Sequence, residues 1–314
     1  MAVNLYKNQS TNIRKTWILM SVFFIFIMFV GWFFSYYFES PGILYFAVFF
    51  SIFMNIFSYW NSDKVVLKIS GAKPVKREEY FDLYNLVENL SITAGLPMPK
   101  VYVINEPVPN AFATGRNKDH AVVAVTTGLL QLLDKTELEG VVAHELAHIG
   151  NRDILLQTIV VTLVGLITLL ADLFLRMTFW GGGRSNDRGG GQMQMVLMIV
   201  GLVLMILSPI IATMIQLTIS RKREYLADST GALLTRYPEG LASALEKIAS
   251  FDGKMKNANH ATAHLYISDP YGANLSSKGK KKGRISKMFA THPPIEERVA
   301  KLRGLNFANS KQDL

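Results

Sequence analysis

Four long apolar blocks limit this chain to folds that can place helices in a bilayer. Trp17 to Phe38 is almost uninterrupted Ile, Leu, Met, Val and Phe. A run of that length crosses a hydrocarbon layer of roughly 30 Å as a helix, which satisfies its own backbone polar groups there. After the breaker Ser40-Pro41-Gly42, a second block runs from Ile43 to about Trp60. A third extends from Ile154 to Trp180 and a fourth from Met193 to about Ile219. Each exceeds the roughly 10 to 14 residues usual for a buried soluble helix. The first and fourth read as spans. The second, which carries Ser51, Asn55 and Ser58, and the third also suit very apolar core helices. Mean hydropathy is +0.22, and its excess sits in these blocks.

The first block is too long for a signal-peptide core of roughly 7 to 15 residues, and no small-x-small cleavage site follows, so it is expected to stay as an anchor. Basic flanks set the orientation. Lys7, Arg14 and Lys15 precede the first span, Lys64, Lys68, Lys73, Lys76 and Arg77 follow the second, and Arg221, Lys222 and Arg223 follow the fourth. These place both termini and the large polar region on the cytoplasmic side, with the lipid bilayer as a partner. The formal charge of +9 fits attraction to anionic lipid. Lys278 to Arg284 is a dense basic run without interleaved aromatics, which speaks against a nucleic-acid partner. There are no cysteines, so a metal site must use imidazole and carboxylate.

The polar segments alternate in character. Lys76 to about Gly95 has a helical apolar face. Short strand-like runs follow at Val101 to Ile104, Ala111 to Thr114 and Ala121 to Val125, then a short helix from Thr126 to Leu133. Further helical patterns occupy Glu239 to Phe251 and Pro294 to Arg303, and Asp252 to Lys287 lacks sustained periodicity. The fold class expected is mainly α, a multi-pass membrane protein with a small β-sheet. Residues 1–62 hold two transmembrane helices, and 63–153 hold the first half of a catalytic domain. A transmembrane hairpin at 154–220, with a Gly-rich loop from Gly181 to Gly191, separates it from the second half at 221–314.

The chemistry starts at His144-Glu145-Leu146-Ala147-His148. Histidines at i and i+4 lie on one helix face and can reach one metal ion, with the intervening glutamate beside it as a candidate general base. Thr136 with Glu139 has the form of a capping box for that helix. A catalytic zinc site needs three protein ligands and an open position. The best third ligand is Glu224, with Asp228 on the same helix face to accept the outer N–H of a ligating histidine. The competing reading is a surface helix with acids four apart. His260 and His264 are also four apart but have no acid between them. His120 reads as structural. Asp172 and Arg176 in the third block read as a pair near the non-cytoplasmic end.

With these motifs the sequence resembles the HtpX-type membrane metallopeptidases, a family related to the CAAX prenyl endoproteases and to the soluble gluzincins. The resemblance rests on residues 144–148 and 224–228, on Asn110-Ala111-Phe112-Ala113, on Thr291-His292-Pro293 and on the layout of four spans. It implies a gluzincin-type zinc peptidase domain with one Zn2+ per chain, ligands His144, His148 and Glu224, and Glu145 as catalytic base. It implies further that Asn110 to Ala113 is an edge strand pairing with the peptide and that His292 lies near the oxyanion. The implied activity is endoproteolysis of membrane proteins, misfolded ones in quality control, at the cytoplasmic face of a bacterial inner membrane. His292 is equally readable as a residue that ends a loop before a helix opened by proline. Two alternatives stand beside this function: a processing peptidase for lipidated peptides, and a non-catalytic zinc-binding scaffold. Glu145 argues against the scaffold, because a structural site has no use for a base and normally closes its fourth position.

Overall fold

The computed structural model describes residues 5–37, 39–165, 221–256, 262–271 and 293–310. The distal third block, the fourth block, the Gly-rich loop, Asp172, Arg176, His260, the Lys278 to Arg284 run and His292 lie outside the described residues.

Two long helices open the chain, α1 (Leu5–Tyr37) and α2 (Pro41–Ser70). Pro41 stands at the first position of α2, where its fixed φ suits a helix start and its missing N–H costs nothing. The sequence reading ends the second span near Trp60, yet α2 runs on to Ser70. No breaker intervenes before Gly71, whose left-handed backbone (φ 68°) returns its N–H to Leu67 and Lys68. The helices meet where Gly31 faces Ala47: a Cβ on Gly31 would lie 2.2 Å from that of Ala47. Their outer faces expose Trp17, Trp32, Phe46, Phe49, Phe53 and Trp60, each more than half accessible. That is a continuous apolar surface of the kind a monomer leaves bare only where something covers it. Both helices are long and apolar enough to cross a membrane.

A four-stranded sheet follows: β1 (Lys73–Pro74), β2 (Lys100–Ile104), β3 (Ala111–Gly115) and β4 (Ala121–Thr126). The spatial order is β1-β2-β4-β3. β2 pairs parallel with β4 (Tyr102↔Ala124), and β3 pairs antiparallel with β4 (Phe112↔Ala124). β4 is buried throughout, and its alternation feeds two cores. Ala121, Val123 and Val125 face a core built with helix α3 (Phe81–Ala94) and the helices that follow the sheet. Val122 and Ala124 face a second core with Leu19, Met20 and Phe23 of α1 and Val66 of α2. The polar domain is thus packed directly onto the first apolar helices.

Beyond the sheet come α4 (Thr127–Leu132), α5 (Lys135–Gly150) and α6 (Asp153–Gly165). After the undescribed residues come α7 (Arg221–Thr235), α8 (Pro238–Ser250) and α9 (Ile295–Ser310). α5 is the central helix, buried from Gly140 to Ile149. Its capping box is Asp134 with Glu137, two residues before the Thr136 and Glu139 pair suggested by the sequence. The Glu137 carboxylate selects that register. It reaches back to the Asp134 N–H and also takes Ser243 Oγ at 2.6 Å and Lys247 Nζ on α8.

Candidate metal centre

Close approach of two helices builds the centre. Gly231 of α7 lies against the backbone of α5 at Ala143 and His144, where a Cβ would sit 3.0 Å from His144 N. That contact brings Glu224, two turns earlier on α7, over the imidazoles of His144 and His148. His144, Glu145, His148, Glu224 and Asp228 are all buried.

The two Nε2 atoms lie 3.2 Å apart. Glu224 Oε2 is 3.9 Å from His144 Nε2, and its Oε1 is 3.7 Å from His148 Nε2. Ligands at 2.0 to 2.1 Å on a tetrahedral zinc stand about 3.3 Å from one another, so the spacing fits that ion. Each outer nitrogen faces a carboxylate: His144 Nδ1 lies 3.0 Å from Asp228 Oδ1, and His148 Nδ1 lies 3.0 Å from Asp153 Oδ2. With both Nδ1–H groups directed outward, two lone pairs confront each other between the rings. A cation belongs there, either one shared proton or a metal. Burial, helped by the neighbouring Arg298 charge, holds His144 below the usual imidazole range despite Asp228. His148 is raised to about 9, because Asp153 and Glu224 outweigh its burial. Among the described residues, His144, His148 and Glu224 are the one group of three able to hold a metal.

Glu145 points to the sheet. Burial first, then the Glu224 charge, pushes its carboxyl up to about 7, against the pull of His148 and a hydrogen bond from the Ala113 N–H of β3. A carboxyl at that level can take and return a proton near neutral pH.

β3 is an edge strand, as the resemblance implies, but its outer side is engaged by the chain itself. Asn110 O accepts from Thr126 N of β4, so the backbone groups of Ala111 and Ala113 face outward. Ala111 O accepts from Ile267 N at 2.9 Å, and Asn110 clamps Ser268 by accepting from its N–H and donating to its C=O. Phe112 packs edge-on against Tyr266. The segment Thr262–Tyr271 therefore lies along the edge that a peptide would use.

Asp228 is buried one helical turn from Glu224, with Oδ1 3.0 Å from His144 Nδ1. Three further residues of the site lie outside the sequence motifs. Arg298 of α9, fully buried, donates twice to Asp228 and comes within 3.5 Å of His144 Nε2. Its charge, against the cost of burial, holds Asp228 at about 2. Asp153, at the start of α6, orients His148. Asn12 of α1 donates to Asp153. His120 bonds Asn117 and Arg116 in an exposed turn, a structural role. His264 is buried and contributes to no metal cluster among the described residues.

Residues 78–306 match the sequence pattern of peptidase family M48. The chain is 47% identical over 304 residues to a protein named "Protease HtpX homolog" from Caldanaerobacter subterraneus subsp. tengcongensis, covering 96% of this chain and 98% of that one. It is 49% identical over 257 residues to a protein of the same name from Pyrococcus furiosus, covering 81% and 83%. In fold it is similar to the crystal structure of S. mikatae Ste24p, with a TM-score of 0.50 and 18% identity over 95% of this chain and 67% of that one. At that identity the likeness concerns fold alone.

Proposed function

This chain belongs to peptidase family M48 and is a metalloprotease, and from that premise we propose a zinc endopeptidase anchored in the cytoplasmic membrane that cleaves membrane proteins, misfolded ones among them. The observation that carries the reading is the convergence of His144, His148 and Glu224 donor atoms within 4.8 Å of one another, beside a buried Glu145. Zinc held there would polarise a scissile carbonyl and acidify a water. Glu145 then takes the water's proton and returns it to the departing amine. Its burial raises its carboxyl toward neutrality, which suits both steps. Asp228 and Asp153 hold the imidazoles in the tautomer that leaves Nε2 free to bind the metal. His292 is assigned to the oxyanion by the resemblance.

A peptide strand added to the outer side of β3 reads backbone more than side chains, which suits unfolded substrates. For it to pair with Ala111, Thr262–Tyr271 must withdraw from that edge. The exposed apolar faces of α1 and α2 support the membrane assignment. The test is cleavage of an unfolded membrane-protein reporter by protein stripped with a chelator and then reloaded. Zinc should restore cleavage, and cleavage that persists in the stripped protein would overturn the metal-dependent reading.

A further inference from the structure

We propose that Asn12, on the first apolar helix, is a positioning residue of the metal centre: it holds Asp153 against His148 and so makes α1 part of the site. The inference rests on His148 being a metal ligand.

The Asp153 carboxylate is buried and divided between two tasks. Oδ2 faces His148 Nδ1 at 3.0 Å. Oδ1 accepts from Asn12 Nδ2 at 2.6 Å and lies 3.5 Å from Arg223 Nε. Asn12 also donates to Asn151 O at 3.2 Å, so one amide group ties together the turn between α5 and α6. It is 3% exposed and lies 141 positions from Asp153 in sequence. Within α1, Thr16 bonds back to its carbonyl, and the apolar run begins just beyond at Trp17. A polar residue buried at the head of a membrane helix needs a partner. Here that partner is the carboxylate that orients a metal-binding imidazole.

The chemistry is that of a relay of orientation. A ligating histidine binds metal best when its far N–H is held by an acceptor that is itself held, and disturbing such partners costs roughly 10- to 100-fold in metal affinity. Without the Asn12 donor, Oδ1 of Asp153 keeps the Arg223 ion pair at 3.5 Å and the nearby Lys15 charge but loses its short, directional hydrogen bond, and the carboxylate can rotate away from His148. Asn12→Asp preserves shape but sets a second acceptor against Asp153. Asn12→Leu removes the donor.

The test is the zinc dissociation constant of the full chain in detergent, by chelator competition, with the visible spectrum of the Co2+ form as a geometric readout. Wild type establishes the premise, and a wild type that binds no zinc defeats the metal-site reading itself. Given a zinc-binding wild type, both variants should lose about tenfold in zinc affinity, the lower end expected for an outer partner, and shift the Co2+ spectrum. Asn55→Leu, which removes an amide bonded to its own helix at Ser51, should do neither. In an Asp153→Asn background, Asn12→Leu should have no further effect, because Asn12 acts through Asp153. Unchanged affinity and spectrum in the folded Asn12 variants, or an additive loss in the double variant, would overturn the inference.

Discussion

Arg298 grips Asp228 with two hydrogen bonds, Nε to Oδ2 at 2.9 Å and Nη2 to Oδ1 at 2.6 Å, with both groups buried. The pair joins α9 to α7 and, through Asp228, to His144 on α5. Two charges taken out of water are offset only by such fork-on-carboxylate geometry.

Arg298→Met should therefore leave the buried Asp228 carboxylate with only the His144 imidazole facing it and destabilise the fold by about 3 kcal/mol, the lower end for breaking a buried pair. Lys in its place should rescue little, since an ammonium cannot reproduce the fork. Denaturant unfolding of the purified protein checks this, and a midpoint equal to wild type would contradict it.

Gly231→Ala tests the close approach that brings Glu224 over the histidines. Its Cβ would meet backbone atoms of Ala143 and His144 at 3.0 to 3.2 Å, so the helices must part rather than a side chain swing aside. A loss of about 1–3 kcal/mol is expected for such overpacking, with weaker zinc binding. Zinc titration of the variant at wild-type affinity would show that the contact does not set the ligand spacing.

Acid stability should depend on Glu137. Burial raises its carboxyl, but Lys247, Ser243 and the Asp134 N–H outweigh that and hold it below 4.5. A depressed carboxyl stabilises the fold fully above its unfolded pKa, and that contribution fades as pH falls through the lower folded value. Wild type should lose melting temperature below about pH 4.5, and Glu137→Gln should start lower and lose less over the same window. Parallel curves for the two proteins would sink the assignment.

Orientation is open to a topology reporter. Fused after Gly95, which ends α3 in a left-handed turn, it should report a cytoplasmic location. A periplasmic signal there would reverse the charge argument built on Lys64, Lys68 and Arg77.

The sequence was most legible where the cause is local. The strands near 101–104, 111–114 and 121–125 stand between Pro and Gly breakers, and the histidines at 144 and 148 share a face whatever surrounds them. The acids at 224 and 228 announced themselves by the same spacing. The capping register of α5 is ambiguous in the sequence because Asp134 with Glu137 and Thr136 with Glu139 both satisfy the pattern; contacts to Ser243 and Lys247, more than a hundred residues away, decide between them. Arg298 and Asn12 are invisible for the same reason, since their partners come from other parts of the chain; Asp153 lies only five residues from His148, but past the end of α5, where helical spacing no longer says which side chains meet. So was the cover that Ile267 and Ser268 lay on β3, because no local pattern reveals what lies beside an edge.

The central claim is that Glu145 moves the proton at a zinc site it does not help to hold. Zinc content and reporter cleavage of Glu145→Gln, measured on one preparation beside wild type, test it most directly. The account predicts wild-type zinc content with cleavage reduced at least a hundredfold, about the lower bound for losing a general base. Cleavage at the wild-type rate with zinc in place would contradict it.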